Sequence, residues 1–356
     1  MNITKHLLPA EALKPLYDDP LKLPFGRTFT DYMFTMEYHQ KSGWHHPEIK
    51  PYGPLSIDPA ANVLHYAQEV FEGMKAYLSA SGDILMFRPR ENAKRLNASL
   101  RRMCMPEIPE EEFMQALCEL LKIERRWIPS AVGSSLYIRP TVVATEAALG
   151  VRPAESYLFF IILSPSGPYF AEGFNPVGLW VSDSYTRAAV GGTGEAKTGG
   201  NYAGTLLASK IAKEKGFSQV LWLDAVEHRY IEEVGAMNIF FVIDGRLATP
   251  KLTGSILQGI TRKSILQIAG DLGIEAEERS ITIDEVIDGI KSKKLTEAFG
   301  SGTAAVVSPV GRIGYKDEVY AISDKAGPWS QKIFDHLTGI QYGKLPDKYG
   351  WVYRVR

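Results

Sequence analysis

The run GGTGEAKTGGNY, Gly191 to Tyr202, sets five glycines around a single lysine, Lys197. Glycine weakens helix and strand interiors and takes up conformations closed to other residues. The stretch is therefore expected to be a loop joining regular elements. Small neighbours on both sides also leave the lysine side chain room to approach a ligand, a clearance that an ordinary surface lysine does not need.

Two ligand chemistries compete for Lys197. GGTGEAKT approaches the phosphate-loop pattern G-x-x-x-x-G-K-[ST], and QVLWLD, Gln219 to Asp224, could be the later apolar strand that ends in a metal-binding acid. However, Ala196 stands where that pattern needs glycine, and Gly199 and Gly200 fall where its helix should begin. The strand-like VGLWVSD, Val177 to Asp183, also ends several residues before Gly191, so the loop does not spring from a strand. The second chemistry is an imine-forming lysine, which needs a carbonyl partner and an acid that tunes an attached heteroaromatic ring. IEEVGAMNIFFVIDGRL offers that acid in Glu233, at the entrance of an apolar strand-like run from Ile239 to Ile243. An ionised carboxylate facing a pyridine nitrogen keeps it protonated, so the ring can accept electrons when an amino acid loses its α-proton. That is the chemistry of pyridoxal phosphate.

RAAVGGTGEAKTGGNYAG, EEVGAMNIFFV, LATPKLTGSILQGITRKSI and EAFGSGTAAVVSPV, in that order, resemble the fold-type IV pyridoxal-phosphate enzymes, and in particular the bacterial-type branched-chain amino acid aminotransferases. FGRTFTDYMF, LHYAQEVFEGMKAY, FRPREN and SLYIRP extend the resemblance over nearly the whole chain. It implies pyridoxal 5'-phosphate as cofactor and ping-pong exchange between leucine, isoleucine or valine and 2-oxoglutarate, through an internal aldimine on Lys197. Tyr202 would bond the cofactor's phenolic oxygen and Glu233 its ring nitrogen. Arg88 in MFRPR, Arg187 in YTRAAVGG, Leu257, Gly259, Ile260, Thr261, Ser301 and Thr303 would surround its phosphate end. Read without the resemblance, Gly259 to Thr261 is still a helix start whose N–H groups and dipole favour an anion.

The same resemblance implies a substrate pocket of Phe25, Tyr66, Tyr137 and Tyr169, with Leu149 and Val151 reaching in from a partner subunit of a homodimer. Thr303 and Ala304 would hold the α-carboxylate. Glutamate's second carboxylate cannot rest unpaired in an apolar pocket, and Arg139 in SLYIRP is the candidate partner. Ala305 and Ser308 stand where mammalian relatives carry a redox-active cysteine pair, so thiol control is not expected. No metal is expected at the site. The alternatives of the same fold type are a D-amino acid aminotransferase and an aminodeoxychorismate lyase, shorter chains that would lack the extended N-terminal section.

A chain of 356 residues, 45% hydrophobic and 23% charged, has room for two cores. A net charge of −1 offers no general attraction to nucleic acid or to an anionic membrane. Two cysteines, Cys104 and Cys118, argue against a disulfide framework; both are expected as core thiols in a reducing, cytoplasmic setting. ENAKRLNASLRRMCM and EEEFMQALCELLKIERRWI repeat apolar residues at helical spacing between strand-like runs, an α+β pattern. SPSGPYFAEGFNP reads as an interdomain linker. The expected organisation is a small N-terminal α/β domain over 1–166, a linker over 167–176 and a larger barrel-like α/β domain over 177–356. Helices are expected near 202–215 and 261–272.

Overall fold

The computed structural model describes residues 1–168 and 174–356. Of these, 1–168, 196–199 and 339–356 form one compact unit, and 174–195 with 200–338 form the other. The α+β class is the one expected. The division differs from the anticipated domains at two places. Residues 339–356 join the first unit because Val352–Arg354 pairs with Ile84–Phe87 and the Arg88 amide donates to the Trp351 carbonyl at 2.7 Å. Residues 196–199, with Lys197 among them, join it for reasons given below.

The first unit is built on a largely antiparallel sheet. Tyr32–His39 pairs with Gly43–Pro51 on one side and Ser156–Ser166 on the other, and Ser156–Ser166 pairs in turn with Ser135–Ala144. Ser135–Ala144 then pairs with Met74–Leu78 and with the short strand Glu69–Phe71. Alternate residues of SYLFFIILS are buried, the period-two signature of a sheet with one covered face. The helices Pro89–Arg102 and Glu110–Ile123 contribute Leu96, Leu100, Phe113, Leu117 and Leu120 to the core beside Phe159 and Ile161. Truncating a side chain as buried as Phe113 to alanine costs about 3–5 kcal/mol. Neither cysteine is buried: Cys104 is exposed just past the first of these helices, at φ 54, and Cys118 is half-buried. The helix ends before Cys104 can turn inward, which corrects the expected core thiol there, while Cys118 packs half-buried against the core.

The second unit closes on itself. Ile231–Val234 pairs with Gln219–Leu223, which pairs with Val177–Ser182, then Val306–Tyr315, Leu295–Gly302 and Met237–Ile243, and the last pairs back with Ile231–Val234. This ring of six strands is the expected barrel. Its core holds Leu179, Val181, Leu221, Ile239, Phe241 and Val310. The segment expected as one helix near 202–215 is two, Gly200–Ala203 and Leu206–Glu214, separated at Gly204 and Thr205. Ile260–Asp271 matches its expectation within a residue. Among the described residues, no helix is long and apolar enough to cross a membrane.

Candidate active site

In the first unit the Lys197 segment runs beside Glu69–Phe71. The Phe71 amide donates to the Lys197 carbonyl at 3.0 Å, and the Lys197 amide donates to Ser99 Oγ at 2.9 Å. The Gly199 amide donates to the Glu69 carboxylate, which lies so close that a Cβ at position 199 would collide with it. That approach is why this part of the run is glycine. Lys197 is thereby held half-buried, with Nζ 4.8 Å from the centre of the Phe71 ring.

Phe71 also collects the expected pocket residues. The Arg139 guanidinium lies over its ring at 4.6 Å, and Arg139 Nη2 donates to the Tyr137 hydroxyl at 3.0 Å. Phe25 packs edge-on against Tyr137, with ring centres 4.8 Å apart. Arg139 Nε is buried and has no hydrogen-bond partner among the described residues, and its charge acts on the nearby Glu69 carboxylate. Tyr66 donates its hydroxyl to the Leu149 carbonyl. Leu149 and Val151 are 64% and 84% exposed, as side chains that reach away from their own unit would be. Tyr169 lies outside the described residues. Arg88 is buried, begins the helix Pro89–Arg102 with φ 51, and stacks over Trp351 at 4.9 Å.

Two acids near Lys197 escaped the sequence reading. Glu72 is fully buried and accepts from Arg95 Nε at 2.7 Å, Asn92 Nδ2 at 2.8 Å and the Gly73 amide at 3.0 Å. Burial alone would raise its pKa, but the charges of Arg95 and Lys197 and these hydrogen bonds outweigh it and hold the carboxyl below its ordinary value. Glu69 goes the other way: burial pushes it up, and the Gly199 amide and Arg139 only partly oppose this. Gly73 marks only the close approach of the Tyr137 hydroxyl, with which a Cβ there would collide, and points to neither acid.

In the second unit Glu233 is buried on Ile231–Val234, and Arg187 Nη1 lies 2.7 Å from its Oε2. Arg187, anticipated beside a phosphate, also donates to the Ser255 carbonyl at 3.3 Å. Asn238 faces Glu233 across a tight hairpin and donates from Nδ2 to Glu233 Oε1 at 3.3 Å and to the Leu257 carbonyl at 2.9 Å. Neighbouring Glu232 has a different partner, the Ser255 hydroxyl; burial raises its pKa, and the bond from Ser255 resists that. The side-chain period of two on a strand gives the adjacent glutamates these separate surroundings.

Asn238 is another residue the sequence reading left without a role. Its amide sits where a Cβ at Gly259 would be, and it pairs in register with Ser301. Gly259 begins the helix Ile260–Asp271, which no side chain caps among the described residues, and the buried Ser301 Oγ has no hydrogen-bond partner among them. Uncapped first-turn N–H groups and an orphaned buried hydroxyl are donors suited to a phosphate. Thr303 and Ala304 form the turn between Leu295–Gly302 and Val306–Tyr315. The residues of the second unit thus fit a phosphorylated pyridine: donors at one end, a buried carboxylate at the other.

The model of the family described as Amino-transferase class IV matches residues 69–313, and the chain belongs to this family. Fold-type IV aminotransferases depend on pyridoxal phosphate. The branched-chain-amino-acid aminotransferase 2 of Bacillus subtilis (strain 168) is 53% identical over 338 residues, 95% of this chain and 93% of its own length. The Mycolicibacterium smegmatis branched-chain-amino-acid aminotransferase is 49% identical, covering 93% of this chain and 92% of its own. Among solved structures, the Escherichia coli branched-chain amino acid aminotransferase superposes with TM-score 0.76 at 29% identity, covering 92% of this chain and 99% of that one. The branched-chain aminotransferase of the thermophilic archaeon Thermoproteus uzoniensis, solved with norvaline, gives 0.75 at 27% identity, covering 91% and 100%.

Proposed function

We propose that this chain is a pyridoxal-phosphate-dependent branched-chain-amino-acid aminotransferase that passes the amino group of leucine, isoleucine or valine to 2-oxoglutarate. The observation that carries the reading is 53% identity over 95% of the chain to a relative of that name. Identity near this level over most of the chain disfavours a D-amino acid aminotransferase or an aminodeoxychorismate lyase.

Bound pyridoxal phosphate supplies an electron sink for the carbanion left when an amino acid loses its α-proton. Lys197 Nζ would attach it covalently, and once displaced by substrate would take the proton from the substrate's Cα and pass it to the cofactor within the same half-reaction; with the second 2-oxo acid it would carry a proton the opposite way, to Cα. Arg187 and Asn238 fix the Glu233 carboxylate so that it would hold a ring N–H, while Tyr202 would donate to the ring's phenolic oxygen. Arg88, Leu257, the amides of Gly259, Ile260 and Thr261, and the Ser301 and Thr303 hydroxyls would hold the phosphate.

Phe25, Tyr66, Tyr137 and Tyr169 would give an aliphatic side chain an apolar wall, completed by Leu149 and Val151 of the second copy in a homodimer. The amides of Thr303 and Ala304 would hold the α-carboxylate, and Arg139 the γ-carboxylate of glutamate. One pocket could then take both substrate classes in turn, giving ping-pong kinetics. A cytoplasmic setting suits this reading. The test is a donor panel with 2-oxoglutarate: L-leucine, L-isoleucine and L-valine yield glutamate and D-alanine does not. Turnover of D-alanine with none of L-leucine would contradict it.

A further inference from the structure

The hairpin joining Tyr32–His39 to Gly43–Pro51 carries three side chains that transamination does not use. Glu37 and His45 oppose one another across the antiparallel pair, and the register slips between Thr35 and Glu37. Two residues, His46 and Pro47, there stand against the single Met36. His46 takes left-handed backbone conformation, with φ 50. On a regular strand His45 and His46 would point to opposite faces; a bulge with a left-handed residue turns the second side chain round to join the first. The two imidazole rings stand edge to face, with centres 4.7 Å apart. His45 Nε2 lies 3.8 Å and His46 Nδ1 3.7 Å from the same oxygen, Glu37 Oε2. Among the described residues this is the one group of three or more His, Cys, Asp or Glu side chains whose donor atoms all fall within 4.8 Å of one another.

His45 Nδ1 lies 2.9 Å from the Gly43 carbonyl, which can only accept, and 3.3 Å from Ser42 Oγ; a proton on Nδ1 satisfies the carbonyl and leaves the Nε2 lone pair beside Glu37. A backbone carbonyl behind the far ring nitrogen is how proteins orient a metal-binding histidine. We propose that Glu37, His45 and His46 bind one divalent transition-metal ion of the zinc or copper class, with water completing its coordination. Two imidazoles and a carboxylate suit such ions better than magnesium or calcium, which prefer oxygen alone. Bonds of about 2.0–2.2 Å place tetrahedral donors roughly 3.4 Å apart, so each imidazole nitrogen has to approach Glu37 Oε2 by only a few tenths of an ångström, and the two nitrogens, within 4.8 Å of one another, have to close by at most about 1.4 Å. Glu37 and His46 side chains are 61% and 73% exposed, so they can make that movement and an ion can enter from solvent without opening the fold.

The test uses the untagged full chain with pyridoxal phosphate bound, titrated with Zn²⁺ alone by calorimetry. Wild type is expected to bind one equivalent at this site. Glu37→Gln, His45→Gln and His46→Asn should each weaken that binding by about tenfold or more, with transamination unchanged as proof of folding. Asparagine at 46 also tolerates the left-handed backbone. His39→Gln, on the same hairpin but outside the trio, should leave binding as it is. Paramagnetic resonance of bound Cu²⁺ should show coupling to two imidazole nitrogens in wild type and to one in His45→Gln. Absence of zinc binding by wild type, or equal binding by His45→Gln, would overturn the proposal.

Discussion

Glu72 in the first unit and Glu233 in the second are both buried carboxylates paired with an arginine and an asparagine, yet only Glu233 stood out in the sequence. Asn238 lies five residues from Glu233, across a hairpin whose short turn sets the register, so a local motif carries that pair. The partners of Glu72 are Asn92 and Arg95, 20 and 23 residues away on the helix Pro89–Arg102. They are three residues apart and share a helix face, but nothing near Glu72 announces them. The lesson is about separation: a buried acid is legible when a turn beside it sets its surroundings, and hidden when the packing of a helix on a sheet does. The two clusters also differ in task. Glu72 fastens a helix to the link between the strands Glu69–Phe71 and Met74–Leu78 and places a negative charge near Lys197, whereas Glu233 is proposed to face the cofactor.

That contrast predicts a large catalytic effect at Glu233 and a large stability effect at Glu72. Glu233→Gln should lower kcat by on the order of 100-fold and, by leaving the buried Arg187 charge without its partner, should lower the melting temperature as well, while Glu232→Gln should change kcat by only a few fold. Steady-state kinetics with leucine decides this, and equal losses would erase Glu233's special role. Glu72→Ala leaves the Arg95 charge without its buried partner and should cost about 3–5 kcal/mol of folding stability, read from urea unfolding at pH 7. A loss below about 1 kcal/mol would mean that the pair is not the clamp described here. The folded pKa of Glu72 is depressed, so its contribution is present above the unfolded value and fades as pH falls through the folded one. The stability gap between wild type and Glu72→Gln should therefore narrow under acid.

Glu124 sharpens the comparison with the smallest effect. It is buried, accepts from the Tyr32 amide at 2.5 Å, and has one carboxylate oxygen with no partner among the described residues. Burial, opposed mainly by that amide, pushes its pKa up to about 7. A raised folded pKa means that its contribution is present at low pH and is lost as pH rises through about 7. Glu124→Gln should therefore gain about 1–2 kcal/mol on wild type between pH 5.5 and pH 8.5, measured by denaturant midpoints. An unchanged difference across that window would place the titration elsewhere.

Much of the fold was readable because it rests on local periodicity. SYLFFIILS alternates as a half-covered strand does, and EEEFMQALCELLKI carries one buried helical face. The break at Gly204–Thr205 was missed because apolar residues continue past it, and the return of 339–356 to the first unit depends on long-range strand pairing. At the candidate site, Lys197 and Glu233 were visible from glycine and turn patterns. Phe71, which the side chains of Lys197 and Arg139 both face, was not, because a lone aromatic on a strand is ordinarily core. Asn238 was hidden for a related reason: its contacts with Leu257 and Gly259 come from a later segment of the chain.

The most direct measurement is borohydride reduction of the purified protein after incubation with pyridoxal phosphate, followed by peptide mass spectrometry. Reduction fixes the cofactor to the nitrogen that holds it. A single adduct on Lys197, absent from Lys197→Ala along with transaminase activity, is the predicted result. An adduct on another lysine, or full transamination by Lys197→Ala, would contradict the role given to Lys197.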